Sequence, residues 1–491
     1  MRGPSPFFFA TPLLLVSLAA CAVGPDFTPP PAPDVMAYDA TPTPAVTEDG
    51  LQYLRLGGKI PAQWWELFHS PKLDRLVAAA IANNPDLAAA EASLRASEAE
   101  LAAGSGELFP TVSAKLTSER QKTARPSSGG FAPPLTYSLH NASVGVSYGL
   151  DVFGGTRRAV EELQAQTDAA RYQKDAAWLT LTGNVVTAAV QEASLRAQIV
   201  AARAVAKDQA KILDMTKASL AAGAVGKNVV DTQTTALADA FAVIPPLEHQ
   251  LAATRHELAV LTGQMPQQRP HEFFALADLR LPKEIPLSLP SKLVAQRPDI
   301  LQAQANMHAA SAAIGVTVAA RLPEITLSAN LGSMANAFDK LFSPGGGFWN
   351  LGASAAETVF DGGTLLNKER AARAQFDVSK EQYRKTVLTA FENVADALHA
   401  LQSDAEILIA KKAAANAATD ASALALAQFK AGATSKTDLL SAQSAAHQAL
   451  SALTQAEAQR YADTAALLVA LGGGWWNHAP SPSNSPKVSH D

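Results

Sequence analysis

The chain of 491 residues contains one cysteine, Cys21. An intrachain disulfide is therefore excluded, and stability has to come from packing. Charged residues make up 17% of the sequence, below the usual quarter. The net charge of −5 offers no basic excess, so nucleic acid is not an expected partner. Eighteen consecutive apolar residues occur nowhere after the N-terminal region, which excludes a transmembrane helix and leaves a lipid or a β-barrel for any membrane insertion. Motifs for chemistry are missing as well. There is no Walker or dinucleotide loop, and the ten histidines never stand at ligand spacing. His256-Glu257 begins a zinc-type motif, but position 260 is Val. Gly145-Val146-Ser147-Tyr148-Gly149 fits the G-x-S-x-G pattern, which requires a strained strand-to-helix turn; here it lies inside an alternating strand. Neither an enzyme, a metal nor a cofactor is expected.

What is present begins with an apolar N-terminal run, Phe7-Phe8-Phe9 through Leu13-Leu14-Leu15-Val16 to Ala19-Ala20-Cys21, preceded by Arg2. It is too short to span a bilayer permanently and has the layout of a secretory signal. A cysteine after small residues resembles the lipobox of bacterial lipoproteins. The expectation is a signal peptide over 1–20 and a lipid-modified Cys21.

The rest reads as an internal duplication. Asn84-Pro85-Asp86-Leu87 is answered by Arg297-Pro298-Asp299-Ile300, and Leu108-Phe109-Pro110 by Arg321-Leu322-Pro323. Asp151-Val152-Phe153-Gly154-Gly155 is answered by Val359-Phe360-Asp361-Gly362-Gly363, Ala222-Gly223 by Ala431-Gly432, and Leu261-Thr262-Gly263 by Leu471-Gly472-Gly473. The expected division is a lipid-anchored linker over 21–62, repeats over 63–282 and 283–476, and a disordered Pro/Ser-rich tail over 477–491.

Each copy changes period twice. An Ala-rich helix from Pro85 gives way to alternating stretches, at about 111–120 and 137–152 in the first copy and about 324–333 and 348–360 in the second. These read as strands with one apolar and one polar face. After each Gly-Gly pair a proline-free helical run follows, the first extending from Thr156 to about Leu220 with seam residues such as Val160, Leu163, Leu181 and Val185. At 1.5 Å per residue it would be on the order of 100 Å long. Gly223 and Gly432 end these outbound helices, and return helices are expected over about 228–262 and 435–470. Pro245-Pro246 must kink or break the first of them. Four strands cannot close a barrel, so a membrane wall requires several chains; three supply twelve strands.

This organisation resembles the TolC-like outer-membrane efflux proteins, specifically the lipoprotein outer-membrane components (NodT type) of resistance-nodulation-division (RND) pumps. The residues that carry the resemblance are Cys21-Ala22-Val23-Gly24-Pro25-Asp26-Phe27, Gln63-Trp64-Trp65-Glu66-Leu67-Phe68, Ser70-Pro71-Lys72-Leu73-Asp74, Asn84-Pro85-Asp86-Leu87 and the terminal Leu471-Gly472-Gly473-Gly474-Trp475-Trp476. It implies a mainly α fold: a long helical tunnel plus four strands per chain in a homotrimeric twelve-stranded barrel. The implied localisation is the outer membrane, with the tunnel reaching into the periplasm. The implied partners are a periplasmic adaptor, an inner-membrane RND pump and outer-membrane lipid, and the implied cargo is drugs or other small molecules. A type I secretion duct or a lipid-anchored periplasmic scaffold are the rival readings.

The family carries a gating aspartate near the periplasmic tip of its second repeat. Gly432-Ala433-Thr434-Ser435-Lys436-Thr437-Asp438 matches that segment and makes Asp438 the gate candidate. Ser435-x-x-Asp438 is equally a capping box. In the first copy either Val229 or, after a two-residue shift, Asp231 stands opposite Asp438. The tips around Gly223, Lys227, Gly432 and Lys436 are where the family docks its adaptor.

Overall fold

A computed structural model describes residues 22–35, 37–40, 44–122, 135–268 and 273–477. Along these residues six strands alternate with nine α-helices and a few short 3-10 turns. In the first repeat, β1 (Tyr53–Leu56) precedes α1 (Pro71–Asn83), α2 (Pro85–Gly106), β2 (Thr111–Lys122), β3 (Thr136–Leu150), α3 (Gly155–Ala221), α4 (Lys227–Ala242) and α5 (Ile244–Leu261). The second repeat follows the same order: β4 (Glu284–Leu287), α6 (Pro290–Gln296), α7 (Pro298–Ala319), β5 (Glu324–Ala335), β6 (Gly347–Ala356), α8 (Thr364–Lys430) and α9 (Lys436–Ala470). Contacts divide the chain into two compact units, one drawn from Met1–Pro30, Ser93–Arg171 and Gln302–Arg384, the other from Pro31–Ala92, Tyr172–Leu301 and Lys385–Asp491. Each repeat contributes to both units.

The first unit is organised by one antiparallel sheet of order β2-β3-β5-β6. Its register brings like residues together. Val112 faces Val146, Val144 faces Leu331, and Leu331 faces Trp349. Since side chains directly opposite share a face, one face gathers Val112, Leu116, Val144, Leu327, Leu331, Trp349 and Leu351, all of them exposed. The other face carries Ser113, Ser143, Gly145, Ser147, Thr326, Ser328, Asn330 and Asn350, with Asn330 Nδ2 donating to Asn350 Oδ1 at 3.0 Å. Ser147 of the G-x-S-x-G sequence lies in the middle of this polar face, paired with Thr111 and Ser328.

The long helices α3 and α8 contain 67 residues each. Both are opened by an aspartate. Asp151 accepts from Thr156 N and Arg157 N at 3.0 Å, while Asp361 accepts from Gly363 N at 2.8 Å and Leu365 N at 2.7 Å. These bonds satisfy amides that a helix start otherwise leaves unpaired. The first return helix is interrupted at Val243, immediately before Ile244-Pro245-Pro246, whereas α9 runs unbroken for 35 residues. A proline pair permits a new helix start but removes the amides that a continuing helix needs.

The second unit has an aromatic core. Trp64 and Phe68 are fully buried, with ring centroids 6.4 Å apart, and Trp65 packs against Trp178 at 5.6 Å. The second tryptophan pair joins the same kind of packing, Trp475 Nε1 donating to Gln296 O at 2.7 Å. The 21–62 segment is more than the linker expected. Its β1 pairs in parallel with β4, burying Leu54, Ile285 and Leu287. Four-residue strands so far apart in sequence leave no periodic signal for a reader of the sequence.

The repeat extends to single hydrogen bonds in this unit. Asn84 caps α2, accepting from Asp86 N and Leu87 N, and its Nδ2 donates to Leu261 O at the end of α5. At the equivalent place in the second repeat, Arg297 Nη1 donates to Ala470 O at the end of α9 and its Nη2 to Asp299 Oδ2.

Candidate functional site

The helix ends around Gly223 and Gly432 are built alike. Gly223 N donates to Leu220 O and Ala224 N to Ser219 O; Gly432 N donates to Phe429 O and Ala433 N to Gln428 O. Each set is a Schellman ending, which places its glycine in the left-handed region, at φ 70° and 74°. Beyond this point the two repeats part. In the second, Ser435 Oγ donates to Asp438 Oδ2 at 2.7 Å and accepts from Asp438 N at 3.1 Å, and Thr434 Oγ1 also donates to Oδ2. Hydrogen bonds from Ser435 and Thr434 hold the exposed Asp438 carboxyl below the usual aspartate range. In the first, Gly226 precedes α4 and offers no side-chain cap.

The helix starts settle the alignment that the sequence left open. Lys227 and Lys436 both occupy the first helical position. Val229 therefore stands where Asp438 does, and Asp231 lies two residues further along. Lys436 is also more than a solvated charge, because its Nζ lies 5.3 Å from the centre of the Phe429 ring. Lys227 is exposed.

Cys21 lies outside the described residues, but the segment after it is firmly seated in the first unit. Val23 N donates to Phe153 O at 2.9 Å, and Ala22 lies against Gly154. The buried Arg158 donates from Nε to Val23 O at 3.1 Å and from Nη2 to Asp26 Oδ1 at 2.7 Å. Phe27 stacks on His308 with centroids 4.5 Å apart, and His308 Nε2 lies 2.9 Å from Glu161 Oε1. Burial raises the pKa of Glu161, but hydrogen bonds from His308 and Arg158 outweigh it and hold the carboxyl below the usual range. The backbone directly after position 21 is thus fixed where β3 gives way to α3.

The sheet adds the remaining feature. Among the described residues, β2 and β6 each pair on one side only, so both edges present free backbone donors and acceptors. No helix among the described residues is long and apolar enough to cross a membrane.

A family profile described as "Outer membrane efflux protein" matches residues 76–264 and 289–473, one match in each repeat. The chain belongs to the outer membrane efflux protein family. Among the relatives of this efflux protein is the pyoverdine export outer membrane protein OpmQ of Pseudomonas putida. It is 32% identical over 424 residues, covering 85% of this chain and 89% of the relative. The toluene efflux pump outer membrane protein TtgC of Pseudomonas putida is 28% identical over 473 residues, covering 96% of each chain. Among solved structures, the outer-membrane channel OprN superposes with a TM-score of 0.82 at 27% identity, covering 93% of this chain and all of that one. The open state of the MtrE outer membrane channel of Neisseria gonorrhoeae gives 0.77 at 25% identity, covering 93% and 99%. The family comprises outer-membrane efflux channels, not enzymes, and the duplicated mainly helical fold is theirs.

Sequence reading did not find the two aspartate caps at the starts of α3 and α8, nor the seat for residues 22–27. An aspartate three or four residues ahead of the first helical residue, beside a Gly-Gly pair, was the available signal for the caps. The seat for 22–27 depends on tertiary partners more than a hundred positions away.

Proposed function

We propose that three copies of this chain form the outer-membrane duct of a tripartite efflux system, through which small molecules pass passively from a periplasmic adaptor and an inner-membrane RND pump to the exterior. The observation that carries this reading is the sheet with two open edges and one exposed apolar face. Joining β6 of one copy to β2 of the next satisfies both edges. Three such joints close twelve strands, with the apolar face toward lipid and the Ser/Thr/Asn face toward the lumen.

The family-matched Asp438 serves as the periplasmic gate in this reading, three carboxylates narrowing the resting pore and favouring cations. The Schellman ends at Gly223 and Gly432, with Lys227 and Lys436, form the adaptor-docking tips. Cys21 carries the lipid. The ordered seat of Ala22 and Val23 against Phe153 and Gly154 supports this role, because it fixes the chain that follows a lipid anchor at the junction of β3 and α3. Relatives named for pyoverdine export and toluene efflux favour small cargo over secreted protein.

Cysteines introduced on the outer edges of β2 and β6, in a Cys21-bearing but otherwise thiol-free chain, test the closure. Oxidation is expected to yield covalent dimers and trimers on a denaturing gel. Bonds formed only within one chain would contradict it.

A further inference from the structure

We infer that Asp404 on α8 and Asp463 on α9 form a proton-binding site that holds one proton between two carboxyls and so fastens α8, α9 and the turn before β1 to one another. The geometry is that of an unbalanced buried charge cluster in the second unit. Arg460 on α9 is 1% exposed. Its Nη1 donates to Leu401 O on α8, and its Nη2 lies 3.6 Å from Oδ1 of Asp49 in the turn before β1. The charges of Asp404 and Asp463 act on the same guanidinium. Three carboxylates thus surround one cation, two of them, Asp49 and Asp404, more than nine-tenths buried. Among the described residues, Asp49 Oδ2 and Asp404 Oδ2 have no hydrogen-bond partner, and neither have Arg460 Nε and Nη2.

The carboxyls of Asp404 and Asp463 lie within hydrogen-bonding reach of each other. Two ionised carboxylates do not share such a site, because neither can donate and both repel. One proton removes the conflict and converts the contact into a hydrogen bond. Burial first, and the Asp463 carboxyl second, push Asp404 up to about 7, with Arg460 pulling against them.

The proton has a route. Asp463 lines a cavity of about 490 Å³ together with Thr180, Asn393, Asp396, Arg297 and Asp299. Arg297 does not neutralise the pair, since its guanidinium is bonded to Asp299 and to Ala470 O. Gln459 Nε2 donates to Asp463 Oδ2 at 3.0 Å and orients it. Other charged groups around the pair are Asp49, which acts on the same guanidinium, and Asp396, which lines the same cavity as Asp463; each opposes a second negative charge.

The consequence for stability has a definite sign. Asp404 binds its proton more tightly folded than unfolded. The contribution is complete below the ordinary aspartate range of about 3.9 and declines as pH rises towards about 7, beyond which it is gone.

Infrared spectra and thermal melts of the full detergent-solubilised protein, taken between about pH 5 and about pH 9, test the site. The wild type is expected to show a protonated-carboxyl carbonyl band that disappears through neutral pH, with a melting temperature falling by several degrees over the same interval. Asp404→Asn should remove the titrating part of that band and flatten the melting profile. Asp463→Asn, an independent variant should the first fail to assemble, should lower the pH at which the band titrates. A titrating band unchanged in both variants, or none in the wild type, would overturn the inference.

Discussion

Asn84 and Arg297 occupy equivalent positions in the two repeats and do the same work with different chemistry. Each reaches across to the carbonyl that ends its own return helix, Asn84 Nδ2 to Leu261 O at 3.1 Å and Arg297 Nη1 to Ala470 O at 2.9 Å. Arg297→Ala removes a charge-assisted bond and leaves Asp299 without its guanidinium. Its expected cost is about 1.5 to 3 kcal/mol. Asn84→Ala also removes the cap of α2, for about 1 kcal/mol from the cap alone. Both are read as lowered melting temperatures, and Arg297→Lys should restore only part of the loss because one ammonium cannot make both contacts.

The glycines that end helices separate into two kinds. Among the described residues, a methyl group on Gly432 would meet nothing within 4 Å, whereas on Gly263 it would run into the backbone carbonyl of Asn83. Gly432→Ala should therefore cost only the left-handed backbone, about 1 to 2 kcal/mol. Gly263→Ala should cost more, or abolish assembly. Chemical or thermal unfolding of the two variants side by side distinguishes them.

Charge on the sheet should be tolerated on one face and not on the other. Leu331→Lys places an ammonium on the apolar face, at an expected cost of about 2 to 4 kcal/mol near the middle of a membrane. Asn330→Lys, one residue away on the polar face, should fold and insert nearly as the wild type does. Heat-modifiability on semi-native gels reports the difference.

Asp438 joins a structural role to the proposed gating one. Asp438→Ala should raise the single-channel conductance of protein reconstituted in a planar bilayer and weaken its cation preference. Ser435→Ala loosens the cap by about 1 kcal/mol while keeping the carboxylate, so it should shift stability more than selectivity. The Asp438 carboxyl sits below its usual range. Its stabilising bonds are therefore complete above the ordinary aspartate range and are lost as pH falls through its depressed value. The capping bonds at Ser435 should therefore persist at mildly acidic pH and be lost only in stronger acid, read as the pH dependence of thermal stability in the wild type against Ser435→Ala.

The fold was legible wherever a period ran long enough. Alternation at Ser143–Leu150 and Ile325–Leu331 marked the strands, and their register confirms an apolar face set against a polar one. Gly223 and Gly432 marked the helix ends because a Schellman turn demands a residue that tolerates positive φ. What remained hidden was held together by tertiary contact alone. The β1–β4 pairing is too short to show a period. Asp49 and Arg460 meet across more than four hundred positions, and nothing in the local sequence of either hints at the other. For the tip, the sequence offered both Val229 and Asp231 as counterparts of Asp438; only the helix starts at Lys227 and Lys436 decided between them.

The central claim is that three chains close one barrel, and single-particle imaging of the detergent-extracted protein measures it directly. The account predicts threefold tubes well over 100 Å long with a twelve-stranded barrel at one end. Monomers, or rods that lack a barrel, would contradict it.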